Sequence, residues 1–429
     1  GFRMPQAGES RYATVERRGA EVVARALAWL QRPGRGPFFL WVELNDAQAP
    51  YQPPPGYARA GSAYNGEIRY ADAQAGRFLA ALRSRKLYDG ALIVLAGDHG
   101  ESLGAHGEET HGVFLYDDTI RVPLLVKLPQ NKPGKAAAHV RLVDVAATVL
   151  QTAGLPVPPQ MQGQSLLRAM RQAGSGEAAY ARADLPHNGF GWSRLESWRM
   201  GKYLYIRAPK PELYDLETDP AAAHNLAAAS QATAGTMATQ LLAFDGRMAG
   251  KTSGSAQLSS SELQKLASLG YVGLQKPVAA SDTAVSGTDP KDEIALATKV
   301  ESALQEIEDG RAQKADSALQ AVVKSHPGMF LAQFAAGLAK VQQRQYAAAV
   351  PFLRKAIELQ PQAAWAYYEM GEALVHTGDW KGAATHLEIA VARLPKMAEA
   401  HAGLAEAYQH QGRGADAGRE QEKAQQLRQ

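Results

Sequence analysis

The chain of 429 residues contains no cysteine. That absence excludes disulfide bonds, thiolate zinc sites and a cysteine nucleophile, and it leaves His, Asp and Glu as the ligands for any metal. An excess of charge is missing as well. Forty-six Lys and Arg against 43 Asp and Glu is too even a balance to draw a nucleic acid or an anionic membrane by charge alone. No apolar run reaches the ~20 residues that a membrane-spanning helix needs, and the first residues, GFRMPQAGESRY, have no basic stretch followed by an apolar one. No nucleic-acid partner and no membrane segment are therefore expected in this chain, and if the parent protein has a signal or anchor it is expected outside this chain.

The length suits two or three domains, each able to bury its own core. A helical pattern over residues 15 to 30, VERRGAEVVARALAWL, gives way at Pro37 to the buried-strand pattern FFLWVEL, so the chain reads as beginning mid-domain. An amphipathic helix is expected from roughly Tyr64 to Arg85, with Ile68, Ala71, Ala75, Phe78, Leu79 and Leu82 at three- and four-residue spacing. It leads into ALIVLAG, a run typical of a strand buried on both faces of a parallel sheet. A polar loop, a second strand pattern (RVPLLVKL) and a helix over 141 to 153 follow. This alternation predicts an α/β sheet with its loops along one edge. From about 185 to 226 the short pattern GWSRLESWRMGKYLYIRAPKPELYDLETDP predicts a small antiparallel appendage, with Trp192 and Trp198 as packing residues and the acidic stretch closing a turn. Residues 251 to 292, rich in Ser, Gly, Ala, Pro and Thr, read as a linker. The expected domains are 1–250, that linker, and 293–429.

The last domain repeats itself. Pro327, Pro361 and Pro395 are 34 residues apart, as are Gly337, Gly371 and Ala405. Small residues recur where two helices must approach (Ala315, Ala349, Ala383, Ala417), with Leu319, Leu353 and Leu387 packing across. A fixed 34-residue period means stacked helix pairs, and this one resembles the tetratricopeptide repeat. About four units fit, the first without the Gly and the last more polar, as suits a cap facing water. The resemblance implies a protein or peptide partner in the repeats' groove.

Chemistry concentrates in GDHGESLGAHGEETHG, where three of the chain's eleven histidines fall within thirteen residues. Asp98 and His99 directly follow a predicted strand, at the sheet edge where α/β enzymes collect ligands. Together they offer a carboxylate oxygen and an imidazole nitrogen, a reasonable half of a divalent site, with Gly100 letting the backbone turn so that both face one point. His106 suits either a second ligand or a solvent-exposed, hydrogen-bonding residue. Asp72 reads as an orienting residue and Tyr51 as a core or pocket-wall residue.

The segment GDHGESLGAHGEETHGVFLYDDTIRVPLLVKLP resembles the metal-binding segment of sulfatases and their relatives in the alkaline-phosphatase superfamily. FFLWVELNDAQAPYQPPPGY, YNGEIRYADAQAGRFLAAL and YLYIRAPKPELYDLETDPAAAHNLA are similar to other parts of that family, over about residues 15 to 230. The resemblance implies a three-layer α/β sandwich, incomplete at its N-terminus, that hydrolyses sulfate esters with one divalent metal. Asp98 and His99 would be two of its ligands and His111 would contact a sulfate or phosphate oxygen. Calcium is usual in sulfatases, whereas an imidazole ligand favours zinc or manganese. No other cofactor is implied. By family analogy alone the location is extracytoplasmic or periplasmic.

Two departures bear on catalysis. The family's Asp-Pro-His-x-Pro-Tyr loop reads Asp46-Ala47-Gln48-Ala49-Pro50-Tyr51 here, and Gln48 can donate a hydrogen bond but cannot transfer a proton near neutral pH. The family's Cys-x-Pro-Ser-Arg nucleophile motif is not found, so the chain as given is expected to be catalytically incomplete. Two other readings stand beside the sulfatase one. His111, in a Thr-His-Gly match, leaves open a phosphoester hydrolase or a phosphoethanolamine-type transferase. The missing nucleophile and Gln48 leave open a non-catalytic, repeat-based binding protein with a relic site.

Overall fold

The computed structural model describes residues 17–32, 36–58, 61–130, 134, 138–170, 176–248 and 285–428. Among the described residues two helices come first, α1 (Gly19–Leu30) and α2 (Ala63–Ser84). Ser62 caps α2 by accepting from the Asn65 N–H, one of the donors a helix start leaves without an internal partner. The helices are tied by polar contacts as well as packing, since the Ala20 N–H donates to the Tyr70 hydroxyl at 3.0 Å.

Strands β1 (Ile93–Ala96) and β2 (Leu124–Lys127) flank the histidine loop and the short helix α3 (Asp117–Ile120). They differ from the expected pair of buried parallel strands. They run antiparallel, Ile93 opposite Lys127 and Ala96 opposite Leu124, and Leu95 and Leu125 are exposed. The stretch FFLWVEL forms no strand, and Phe39 and Trp41 are 69% and 76% exposed. A strand needs a ladder partner and an apolar layer on its face; among the described residues FFLWVEL pairs with no strand, while β1 and β2 pair with each other but leave Leu95 and Leu125 uncovered. The helix expected over 141 to 153 forms as α4 (Asp144–Thr152), followed by α5 (Leu166–Ala169).

The appendage is a four-stranded antiparallel sheet in sequential order, β3 (Ala179–Ala183), β4 (Leu195–Met200), β5 (Tyr203–Arg207) and β6 (Glu212–Asp215), with helix α6 (Leu185–Phe190) inserted after β3. Trp192 and Trp198 are buried, as their placement among alternating residues predicts. Helix α7 (Gln231–Met248) lays Met237 and Leu241 on Trp198, Tyr205 and Leu213. The acidic stretch after β6 turns back, the Asp219 N–H donating to the Asp215 carbonyl.

Most of the expected linker, residues 251–284, lies outside the described residues. From Val285 the chain is tied down. The Ser193 N–H donates to the Thr288 carbonyl, while Asp289 caps the next helix and also accepts from the Lys210 N–H. Eight helices follow as four antiparallel pairs: α8 (Pro290–Glu308) with α9 (Ala312–Ser325), α10 (Phe330–Gln342) with α11 (Tyr346–Leu359), α12 (Ala364–Thr377) with α13 (Trp380–Arg393), and α14 (Ala398–His410) with α15 (Gly414–Arg428). The small residues at the 34-residue period sit at the crossings. A Cβ on Gly337 would lie 2.6 Å from Leu353, and one on Gly371 2.4 Å from Leu387, so the glycines are demanded by helix proximity although glycine costs a helix about 1 kcal/mol. One hydrophobic core joins the two halves, running from Val113, Phe114 and Leu204 to Ala297, Val300 and Leu331.

Candidate functional site

The histidine loop is folded onto itself between β1 and α3. The Ser102 N–H donates to the Thr110 carbonyl and the Gly104 N–H to that of Glu108, both at 2.8 Å. Gly100 has a different task from the turn expected of it. A Cβ there would fall 2.0 Å from the Asp118 carbonyl oxygen, so glycine lets the loop run against α3, and the Gly100 N–H uses that closeness to donate to Thr119.

Asp98 and His99 face one space, as the sequence predicts. Oδ2 of Asp98 is 3.9 Å from Nε2 of His99, with the Asp98 side chain largely exposed. His99 Nδ1 lies 2.8 Å from the Gly100 carbonyl, an acceptor, which places the ring proton on Nδ1 and leaves a lone pair on Nε2. Gln48 meets that lone pair with its amide nitrogen at 3.2 Å. Its loop is held in place by its neighbours. Asp46, buried, accepts from the Gly19 N–H at the start of α1, and the Gln52 N–H donates to the buried Glu67 of α2.

His111 stacks on His99 with ring centroids 3.8 Å apart. Its Nδ1 is 3.2 Å from Oε1 of Glu101, whose side chain is almost wholly buried. Tyr51 lies alongside, its phenol pushed well above the usual range by burial and then by the Glu101 carboxylate. Beneath the loop, burial pushes Glu108 up to about 8 while it accepts from the Val113 and Phe114 N–H groups. Glu301 of α8 approaches from the repeats. It accepts from the Thr110 hydroxyl at 3.3 Å through Oε2, its Oε1 is buried without a hydrogen-bond partner, and burial pushes it up to about 7.

Asp98 and His99 thus place one exposed carboxylate 3.9 Å from one imidazole nitrogen, donor types that suit a divalent ion. Among the described residues there is no group of three or more His, Asp and Glu disposed to hold such an ion, so two donors are what these residues contribute. His106 is taken up elsewhere, stacked on Tyr116 at 3.6 Å with left-handed backbone. Two members of the site were missed from sequence. Glu101 stands directly beside the GDHG element and could have been noticed as a partner for a nearby histidine. Glu301 is 191 residues from Thr110, and only the packing of α8 against the loop reveals it.

The family model described as Sulfatase matches residues 11–155, and that described as N-sulphoglucosamine sulphohydrolase, C-terminal, matches 109–243. The N-terminal half of the chain is a sulfatase-family segment. Tetratricopeptide repeat models match 301–364, 340–389 and 368–428, so the sulfatase segment is followed by a repeat block in the same chain. The sulfatase segment is 28% identical over 160 residues to the uncharacterized sulfatase YidJ of Escherichia coli, covering 37% of this chain and 32% of that protein. It is 29% identical over 168 residues to arylsulfatase K of Mus musculus, covering 36% and 30%. The chain therefore spans about a third of the length of these relatives. Among solved structures, a putative sulfatase yidJ from Bacteroides fragilis matches with a TM-score of 0.47 at 19% identity, over 54% of this chain and 58% of that one.

Proposed function

We propose that the sulfatase segment supplies the metal-binding part of a sulfate ester hydrolase and is catalytically incomplete as it stands: it holds one divalent ion (calcium, zinc or manganese), Asp98 and His99 supply two of its ligands, and His111 faces the ester oxygens. The observation that carries this reading is the convergence of Asp98, His99 and His111 at one end of the loop, in a segment matched by the sulfatase family. The ion, when bound, polarises the ester oxygen and lowers the pKa of a nucleophile. His111, held through Nδ1 against Glu101, is left with Nε2 for an ester oxygen that gains charge during the reaction. Glu101 is a positioning residue, because it sets the ring plane that His111 presents. The same reading divides the chain at 1–250, 251–292 and 293–429, with the repeats recruiting a protein partner.

Isothermal titration of the full chain with calcium, manganese and zinc tests the metal assignment. The expected result is one ion per chain, bound by the wild type and lost in Asp98→Ala and His99→Ala. Binding that is the same in both variants would overturn it. Turnover of aryl sulfate against aryl phosphate, with Asp98→Ala as the control, tests the ester class.

One observation favours a second reading. The Gln48 amide occupies the His99 nitrogen that a metal would use, as a site no longer selected for metal binding would allow. In that reading the chain is a binding protein that works through its repeats, and no ion binds with any of the three metals.

A further inference from the structure

The repeats form a groove of about 610 Å³ lined mainly by the first helices of successive repeats, α8, α10, α12 and α14, with additions from the start of α11 and from α15. Four of its lining residues are carboxylates: Glu369 and Glu372 of α12, and Glu399 and Glu406 of α14. Among the described residues none of the four forms a salt bridge or hydrogen bond with a cationic side chain. Glu369 is 4% exposed and lines the cavity without a hydrogen-bond partner, an arrangement that is unfavourable for a carboxylate unless something supplies one. Burial, and after it the neighbouring carboxylates, push Glu369 up to about 8 and Glu372 up to about 7. Arg344 and Arg428 also line the cavity, without pairing with these acids.

The walls between the acids are aromatic. Trp365 and Tyr368 meet edge to face at 5.8 Å and both line the cavity. The opening between α12 and α14 is kept by Gly403, where a Cβ would stand 2.6 Å from the Glu372 carboxylate. A cavity of this size takes side chains of a peptide. A divalent ion is a poor occupant, because among the described residues no three acids are disposed to hold one.

We propose that this groove binds a basic peptide segment and favours arginine over lysine. The proposal deepens the reading that the repeats recruit a protein partner, and rests on it. Arginine fits the chemistry on three counts. Its planar guanidinium pairs a carboxylate through two hydrogen bonds, it stacks on aromatic faces such as those of Trp365 and Tyr368, and it is more weakly hydrated than an ammonium and so enters a buried site more readily.

The test is fluorescence anisotropy of the full chain with four fluorescein-labelled peptides that alternate Ala with Arg, Lys, Glu or Ser. The variants are Glu369→Gln, Glu372→Gln and, as a control on the last helix, Glu422→Gln, with folding checked by circular dichroism. The expected result is that the Arg peptide binds most tightly, that each groove variant weakens it about tenfold, and that the control leaves it unchanged. Equal loss in the control would show non-specific charge attraction and overturn the proposal. Preference for the Glu or Ser peptide would overturn it while leaving the repeats as a peptide-binding module. Failure of all four peptides would overturn both.

Discussion

The amide nitrogen of Gln48 lies 3.2 Å from Nε2 of His99, the one nitrogen of that ring left with a lone pair once Nδ1 is turned to the Gly100 carbonyl. Gln48 and a metal ion therefore compete for the same electron pair. Removing the amide should help the ion. Gln48→Ala is expected to bind manganese or zinc roughly 3- to 10-fold more tightly than the wild type in isothermal titration, the equivalent of one hydrogen bond of about 1 kcal/mol. An affinity that is unchanged or lower would show that the amide does not stand in the metal's place.

Gly100 gives a prediction of a different kind. Because a Cβ at that position would collide with backbone rather than with a movable side chain, 2.0 Å from the Asp118 oxygen, Gly100→Ala must shift the loop or α3. Chemical denaturation is expected to show a loss of about 1–3 kcal/mol, the usual cost of forcing atoms into a packed site. A variant as stable as the wild type would mean that the loop moves aside freely.

Much of this was legible in the sequence where local pattern decides structure. The 34-residue spacing of Gly337, Gly371 and Ala405 announced close helix crossings that need a small residue, and the structure places Leu353 and Leu387 against the two glycines. The Asp-His-Gly element announced two groups facing one space, and Asp98 and His99 do so. The rest depends on partners remote in sequence. The apolar stretch around Phe39 and Trp41 has the composition of a buried strand, but without a neighbouring strand among the described residues it stays extended and exposed. Glu301 could not be assigned from its own helix, because its surroundings are set by a loop 191 residues away.

The repeat crossings can be tested by cavity creation. Leu387 is fully buried and packs against Gly371 and Gly403. Leu387→Ala is expected to cost about 2–5 kcal/mol, measured by urea denaturation, whereas Leu242→Ala, at a position 49% exposed, should change stability by about 0.5 kcal/mol or less. Similar small effects at both positions would show that the crossing at Leu387 is loosely packed.

The contact between Glu301 and the histidine loop predicts a pH dependence with a definite sign. Burial raises this carboxyl from its ordinary value of 4.5 to about 7 in the folded chain, so between those limits the folded state holds a proton that the unfolded state has released. Stability from this group is complete below about pH 4.5 and is lost as pH rises through 7, with a slope of up to about 1.4 kcal/mol per pH unit for one proton. Glu301→Gln keeps the shape and hydrogen-bonding capacity of the protonated acid and has no proton to lose. Urea denaturation at pH 5, 6 and 7 should therefore show the wild type losing stability relative to Glu301→Gln as pH rises. Glu108, pushed up to about 8 chiefly by its burial, keeps that burial in both proteins and loses in the variant only the smaller part of its shift that the Glu301 charge adds. Parallel pH profiles would mean that Glu301 is solvated in solution and that α8 does not seal the loop.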